Sequence, residues 1–250
     1  MSSTKTDSVV LVVIPYLASE ARGLEIEYAC AGWREHFNEL QHLVVVGDVP
    51  EMPGQRMTMI NCPRVEGDGT SYLPALDLVH KLRVVRERFP KGKGFVLSYD
   101  DIFAVNDFNL DDILFPKIAG TTMPGKLGSE NGWYDAMART RNALMAEGLP
   151  TRNYSTHLPR YYEWDKLGSV LERWGDDSGM ILENLYFNAY PPKGSALVLD
   201  GTDRYKYFAS STRADVGILR RAFAEKVWIN TNVDGFEPIL ESMLREHYDM

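Results

Sequence analysis

The residues best suited to chemistry are two adjacent carboxylates, Asp100 and Asp101, placed directly after the apolar run Phe95-Val96-Leu97-Ser98-Tyr99. Two neighbouring anions repel, and a cation relieves their field. Oxygen ligands of this type suit Mg²⁺ or Mn²⁺. Such an ion can bridge two phosphates and neutralise charge that builds on a phosphate leaving group. The same pair also fits a solvated turn or a helix N-cap, both of which favour Asp. A second pair, Asp111-Asp112, follows Asn109-Leu110 and reads as capping. His157, in Thr156-His157-Leu158-Pro159, can ligate a metal, contact a phosphate or move a proton. It fits a plain loop hydrogen bond equally well. The other histidines, His36, His42, His80 and His247, read as structural or surface groups.

The elements that must position these residues are legible in the first hundred positions. Val9 to Ile14 is a β-branched run stopped by Pro15, the pattern of a strand buried on both faces. Glu20 to Leu40 has helical spacing, with Leu24, Tyr28, Ala31 and Phe37 on one stripe. His42–Val46 predicts a second strand, closed by Gly47-Asp48-Val49-Pro50, and Arg56–Ile60 a third. Tyr72 to Phe89 predicts a helix, and Phe95–Tyr99 a fourth strand. This alternation predicts an α/β sandwich of three layers around a mostly parallel sheet. Ligands of such sheets sit beyond the carboxyl ends of the strands. The residues to examine are therefore Pro15-Tyr16-Leu17, Gly47-Asp48 and Asp100-Asp101.

The second half is less regular. Gly120 to Gly132 reads as a loop. Trp133–Gly148 predicts a helix with Trp133, Met137, Leu144 and Met145 as buried candidates. Trp164–Trp174, Arg213–Phe223 and Phe236–Glu246 also read as helices. Met180–Tyr190 fits helix or strand, and Lys226–Asn230 a short edge strand. Asn230 and Asp234 are candidates for a place near the site. No linker divides the chain, which predicts one domain over 1–250.

Composition narrows the function classes. The chain has 250 residues, 44% hydrophobic and 25% charged, as expected of a globular fold. A formal net charge of -8 gives no overall basic field for nucleic acid or anionic lipid. Cys30 and Cys62 are too few for a disulfide framework and read as small buried thiols. The run Val9–Ile14 is too short for a membrane span. A cytoplasmic protein without one is the expectation.

Ser98-Tyr99-Asp100-Asp101-Ile102-Phe103, after its strand–helix lead-in, resembles the metal-binding motif of GT-A glycosyltransferases. It also looks like the Asn-Asp-Asp-hydrophobic-Phe motif of Stealth-type capsular sugar-phosphate transferases. Ser98 or Tyr99 stands where those families often carry a further acidic residue or Asn. The resemblance implies a GT-A-like (Rossmann-like) fold, with residues 1–105 binding the nucleotide and 106–250 the acceptor. It implies Mn²⁺ or Mg²⁺ on Asp100, Asp101 and His157. It implies a nucleotide-sugar donor, UDP-linked in the leading reading, and a carbohydrate or other hydroxyl acceptor.

Pro15, Tyr16, Asp48, Tyr99 and Asp100 fall where that family contacts base or ribose. Arg64 is a candidate for the diphosphate. Lys81, Arg83, Arg86 and Arg88 read mostly as the solvated face of one helix. Trp133 and Tyr134 could stack on a sugar. Met180-Ile181-Leu182-Glu183-Asn184 resembles the Glu-Asp-hydrophobic segment that supplies the base in inverting β-1,3-transferases. Asn184 replaces the Asp and cannot take a proton. The role then passes to Glu183, to Asp176 or Asp177, or to His157. The activity implied is metal-dependent transfer of a sugar to a hydroxyl. The alternatives are sugar-phosphate transfer, marked by a His-x-Pro like His157-Leu158-Pro159, or a non-catalytic nucleotide-sugar-binding module.

Overall fold

A computed structural model describes residues 11–48, 56–66, 73–125, 132–175, 179–194, 196–213, 215–232 and 234–250. Val9, Val10, Val49, Pro50, Tyr72, Asp176, Asp177 and part of the loop between Gly120 and Gly132 lie outside them.

The first half contains β1 (Leu11–Tyr16), α1 (Glu25–His36), β2 (His42–Gly47) and β3 (Met57–Asn61). It continues with α2 (Leu73–Arg88), β4 (Gly94–Leu97) and β5 (Ile102–Ala104). Then come α3 (Leu110–Leu114), α4 (Trp133–Ala146), β6 (Arg160–Glu163), α5 (Trp164–Trp174) and α6 (Leu182–Ala189). The chain ends with β7 (Lys206–Ala209), a 3₁₀ turn, α7 (Val216–Glu225), β8 (Trp228–Thr231) and α8 (Pro238–His247).

Five strands form the central sheet in the order β3-β2-β1-β4-β6. The first four are parallel, and β6 closes the edge antiparallel to β4. A second sheet has the order β5-β8-β7. The fold class is therefore α/β with a mostly parallel central sheet, a layout compatible with a Rossmann-like arrangement.

Continuous apolar strands work here because both faces of the sheet are covered. Val12 and Ile14 pack with Trp33 of α1 on one side, together with α7, α8 and the small sheet. Val13 packs with Leu82 and Val85 of α2 on the other, together with α4, α5 and α6. The chain turns from β1 to β2 on one side and reaches β4 on the other. The crevice between the carboxyl ends of β1 and β4 is thus the switch point where open sheets bind ligands.

Trp33 anchors that crevice from below. Its ring is fully buried, edge-on to Phe37 and Phe108 at 5.3 and 5.1 Å. Its indole N–H donates to the Ser98 hydroxyl at 3.1 Å. Ser98 is itself buried, two residues before Asp100. The indole thereby holds the chain at the point where β4 gives way to the acidic pair.

Several expectations change. The first helix begins at Glu25, not Glu20, because Gly23 takes a left-handed φ of 60° that a helix cannot continue. Glu20 and Ala21 instead turn back on the Leu17 carbonyl, both at 3.0 Å. Leu24 is partly exposed rather than part of the buried stripe, and Ala31 is half-buried. Met145 is exposed, being in the last turn of α4. β8 is the central strand of the small sheet, not an edge, because β5 and β7 flank it. Met180–Tyr190 resolves as helix α6. The capping role of the second acidic pair holds: Asp112 accepts the Asn109 backbone N–H at 3.0 Å. Cys30 and Cys62 are free and buried.

Replacing Trp33 with Ala should lower unfolding stability by about 3–5 kcal/mol, since it empties a large buried site and orphans Ser98. Urea unfolding followed by circular dichroism reads this directly.

Candidate active site

A cleft of about 410 Å³ opens at the β1–β4 switch point. The first half of the chain contributes Pro15, Tyr16, Glu25, Tyr99, Asp100 and Asp101. The second half contributes Trp133, His157 and Glu183. Residues far apart in sequence thus share one cavity.

The cleft is crowded with negative charge. Burial, then the Asp101 and Glu25 carboxylates, push the Asp100 carboxyl up to about 8. Burial, then Asp101 among the charges, likewise push Glu25 up to about 7, although the Arg22 backbone N–H donates to it at 2.7 Å. Burial, then Asp100 and Asp48, raise the Tyr16 phenol. A site in which burial first, and crowding of like charges second, make carboxylates hold their protons is one that a cation would relieve.

Lys81 lines the cleft, and its place is a correction. It lies fully buried in α2, not on a solvated face. Its ammonium donates to Asp77 at 2.5 Å and to the Tyr16 carbonyl at 3.1 Å. The i,i+4 spacing on α2 brings Asp77 and Lys81 together, and Asp77 also accepts the Val65 backbone N–H at 3.1 Å. Lys81 therefore ties α2 to the end of β1, with its charge largely matched by Asp77.

His157 meets the acidic pair. Its Nε2 lies 2.8 and 2.9 Å from the two Asp101 carboxylate oxygens. The ring stacks on Tyr99 at 4.9 Å and 13°. Its backbone has a φ of 50°, uncommon for a residue with a Cβ. The Asn230 amide holds the His157 carbonyl at 2.6 Å. Asn230 was a loose candidate in sequence; its place is beneath the histidine, on the central strand β8. As seated, His157 orients Asp101 and faces it with the nitrogen that a metal would need.

Glu183 and Asn184 divide their work. Glu183, in the first turn of α6, lines the cleft and accepts the Ser155 hydroxyl at 2.8 Å. Asn184 is fully buried and accepts the Tyr154 backbone N–H at 2.6 Å. Its amide donates to the Ser155 hydroxyl at 3.0 Å. One turn later Asn188 accepts the Arg152 N–H and donates to the Arg152 carbonyl, at 2.9 and 2.8 Å. The asparagine at the position of an expected carboxylate thus staples the 152–155 segment.

The remaining candidates lie beside the cleft or elsewhere. Asp48 is exposed and accepts the Ala18 backbone N–H at 2.8 Å, so it braces the loop after β1. Arg64 pairs with Glu20, which lines the cleft. Asp177 is outside the described residues. Glu25 and Asp77 were missed, and Lys81 was read as solvated. No sequence signal separates Glu25 from Glu27 in the same first turn, but the Asp77–Lys81 spacing was a readable pair.

Among the described residues, no group of three or more His, Cys, Asp or Glu side chains could hold a metal ion alone. An ion shared with a diphosphate needs only one or two protein carboxylates, because phosphate oxygens and water complete it. Asp100 and Asp101, side by side in the cleft lining, fit that demand.

A carboxyl with a raised pKa keeps its proton longer in the folded chain than in the unfolded one. Stability is then highest below the unfolded value of about 4 and falls as pH rises towards about 8. Thermal unfolding without divalent ions should decline from about pH 5 to about pH 8. Asp100→Asn should flatten that decline. Added Mn²⁺ should raise the midpoint at pH 8 by on the order of 3 °C in the wild type and not in Asp100→Asn. Separately, Asn230→Ala should cost about 1–2 kcal/mol by freeing the His157 carbonyl, as read by urea unfolding.

No helix among the described residues is long and apolar enough to cross a membrane. Comparison with family models gives no match for this chain, and comparison with curated proteins gives none either.

Proposed function

We propose that the chain is a metal-dependent glycosyltransferase with a GT-A-like fold, acting in the cytoplasm on a nucleotide-sugar donor and a hydroxyl acceptor. The observation that carries this reading is the acidic pair after β4, opening into the switch-point cleft with Asp100 held up to about 8. A doubly wound sheet binds nucleotides at this place. Buried carboxylates crowded together would suit a divalent ion, which would supply countercharge for a diphosphate.

In this reading, Asp100 and Asp101 hold Mn²⁺ or Mg²⁺. That ion would supply neutralisation of the diphosphate's charge. Pro15, Tyr16 and Tyr99 form the donor wall of the cleft. The Lys81–Asp77 pair fixes the carbonyl end of β1, so the wall keeps its shape as ligand enters. His157, stacked on Tyr99, fixes the Asp101 carboxylate.

Glu183 is the candidate base. Its carboxylate is aligned by Ser155 and faces the same cleft, where it could take the acceptor's proton. Trp133 lies on the acceptor side, where an aromatic face suits a sugar ring.

The bond to the His157 ring favours a second reading, a module that binds nucleotide sugar without turnover. With both its oxygens turned to His157, Asp101 has less freedom to serve as a ligand. Nucleotide release separates the two.

The test is UDP release from a panel of UDP-sugars, with acceptor sugars present and Mn²⁺ added or chelated. Release that needs Mn²⁺ and disappears in Asp100→Ala supports the transferase. Glu183→Gln should lower kcat by about 10²–10⁴ and leave donor binding within about twofold. Mn²⁺-dependent binding without release would favour the binding module. Binding that ignores both Mn²⁺ and Asp101→Ala would remove the metal role.

A further inference from the structure

A second cavity, of about 770 Å³, shares no residue with the first. It lies at the opposite end of β4, around the sheet's edge strand β6, between α3 and α6. The candidate active site does not use it.

Its lining combines aromatic rings with one sign of charge. Tyr161 of β6 and Tyr186 and Tyr190 of α6 supply the rings. Tyr161 and Tyr190 are half-buried, and Tyr186 is buried. Lys91, Lys93, Lys166 and Lys193 supply the charge. These are four of the chain's ten lysines, gathered in one groove of a protein whose net charge is -8. Among the described residues Glu163 is the one acid in the lining, already paired with Lys166 at 2.6 Å and near Lys93 at 4.0 Å. The groove therefore carries an excess of about three positive charges, which focuses its field on an anion.

Backbone geometry keeps the groove open. The Tyr161 ring lies over Gly94, where a Cβ would come within 2.6 Å of its hydroxyl and 2.1 Å of the Tyr162 carbonyl. Only glycine at this position lets the ring lie there. Pro191 and Pro192 stiffen the segment between Tyr190 and Lys193. The volume is within the ordinary range for a small ligand.

We propose that this groove is a second binding site, separate from the candidate active site, for a sugar ring bearing a carboxylate or phosphate. Tyrosine faces accept the apolar face of a sugar, and their hydroxyls bond to its hydroxyls. Lysines match the anion as point charges. Among the described residues no arginine lines the groove to grip a nucleic-acid phosphate in bidentate fashion, and the chain's net charge repels a long polyanion. Addition of a peptide strand to β6 is disfavoured, because the Tyr186 hydroxyl already accepts the Glu163 backbone N–H at 2.9 Å.

The experiment uses the full chain and isothermal titration with trigalacturonate, glucose 1-phosphate and neutral maltotriose. An acidic peptide and a short oligonucleotide serve as competitors. At least one charged sugar should bind, weaken with added salt, and bind more tightly than maltotriose. Lys93→Glu with Lys193→Glu should weaken it at least tenfold, and Tyr190→Ala should weaken it as well. Circular dichroism checks that both variants fold. Asp101→Ala should leave this binding unchanged, which separates the groove from the cleft.

The idea is overturned by any of three results. Neither charged sugar binds up to about 5 mM. The variants leave binding intact. The peptide or the oligonucleotide takes the groove in preference to the sugars.

Discussion

The burial of carboxylates at the end of β4, with their mutual repulsion second, is the constraint around which the rest of this protein is arranged. Asp100 and Asp101, after β4, and Glu25, at the start of α1, are brought close by two different pieces of chain, and the fold accepts the cost. Burial makes the cost larger, because the same charges would repel weakly in water. Nearby contacts limit it without cancelling it. His157 engages Asp101, and the Arg22 backbone engages Glu25. Lys81 gives most of its charge to Asp77. Asp100 is held up to about 8 by its burial and by the Asp101 and Glu25 carboxylates beside it.

Holding such a site open takes a rigid surround. Trp33 fixes Ser98 just before the pair. Asn230 fixes the backbone of His157 in a conformation the residue would not adopt freely. The small sheet thus does more than cover one face of the large one. Its central strand reaches across to brace a loop that belongs to the cleft. Irregular backbone at a ligand site is typical of positions that the surroundings over-determine.

The sequence was most readable where one local rule acted alone. The apolar runs of β1, β2 and β4 could only be covered strands, and they located the crevice. Asp112 after Asn109 could be read as a cap from spacing alone. Legibility failed where tertiary context set the outcome. Lys81 looked solvated because four basic residues crowd its helix, yet the carbonyl of Tyr16 and the carboxylate of Asp77 draw it inside. Glu25 looked like any first-turn acid until β4 placed Asp101 near it. β5, β6 and β7 are three or four residues long, too short for a period-two pattern to emerge. The 152–155 segment gave no sign that Asn184 and Asn188 would staple it.

Helix α6 shows how narrow the margin for function is in this arrangement. Neighbouring residues on a helix point about 100° apart. That one step sends the carboxylate of Glu183 to the cavity and the amide of Asn184 into the core. A single-residue slip of α6 would exchange them, placing an inert amide at the cavity wall and a bare anion among apolar side chains. Each half of that error is costly on its own terms, since a buried carboxylate loses its hydration and an amide takes no proton. Chain length before α6 is therefore under tighter control than its loop-like sequence implies. A length change that turned α6 by one residue would lose the Glu183–Ser155 and Asn184–Tyr154 bonds together.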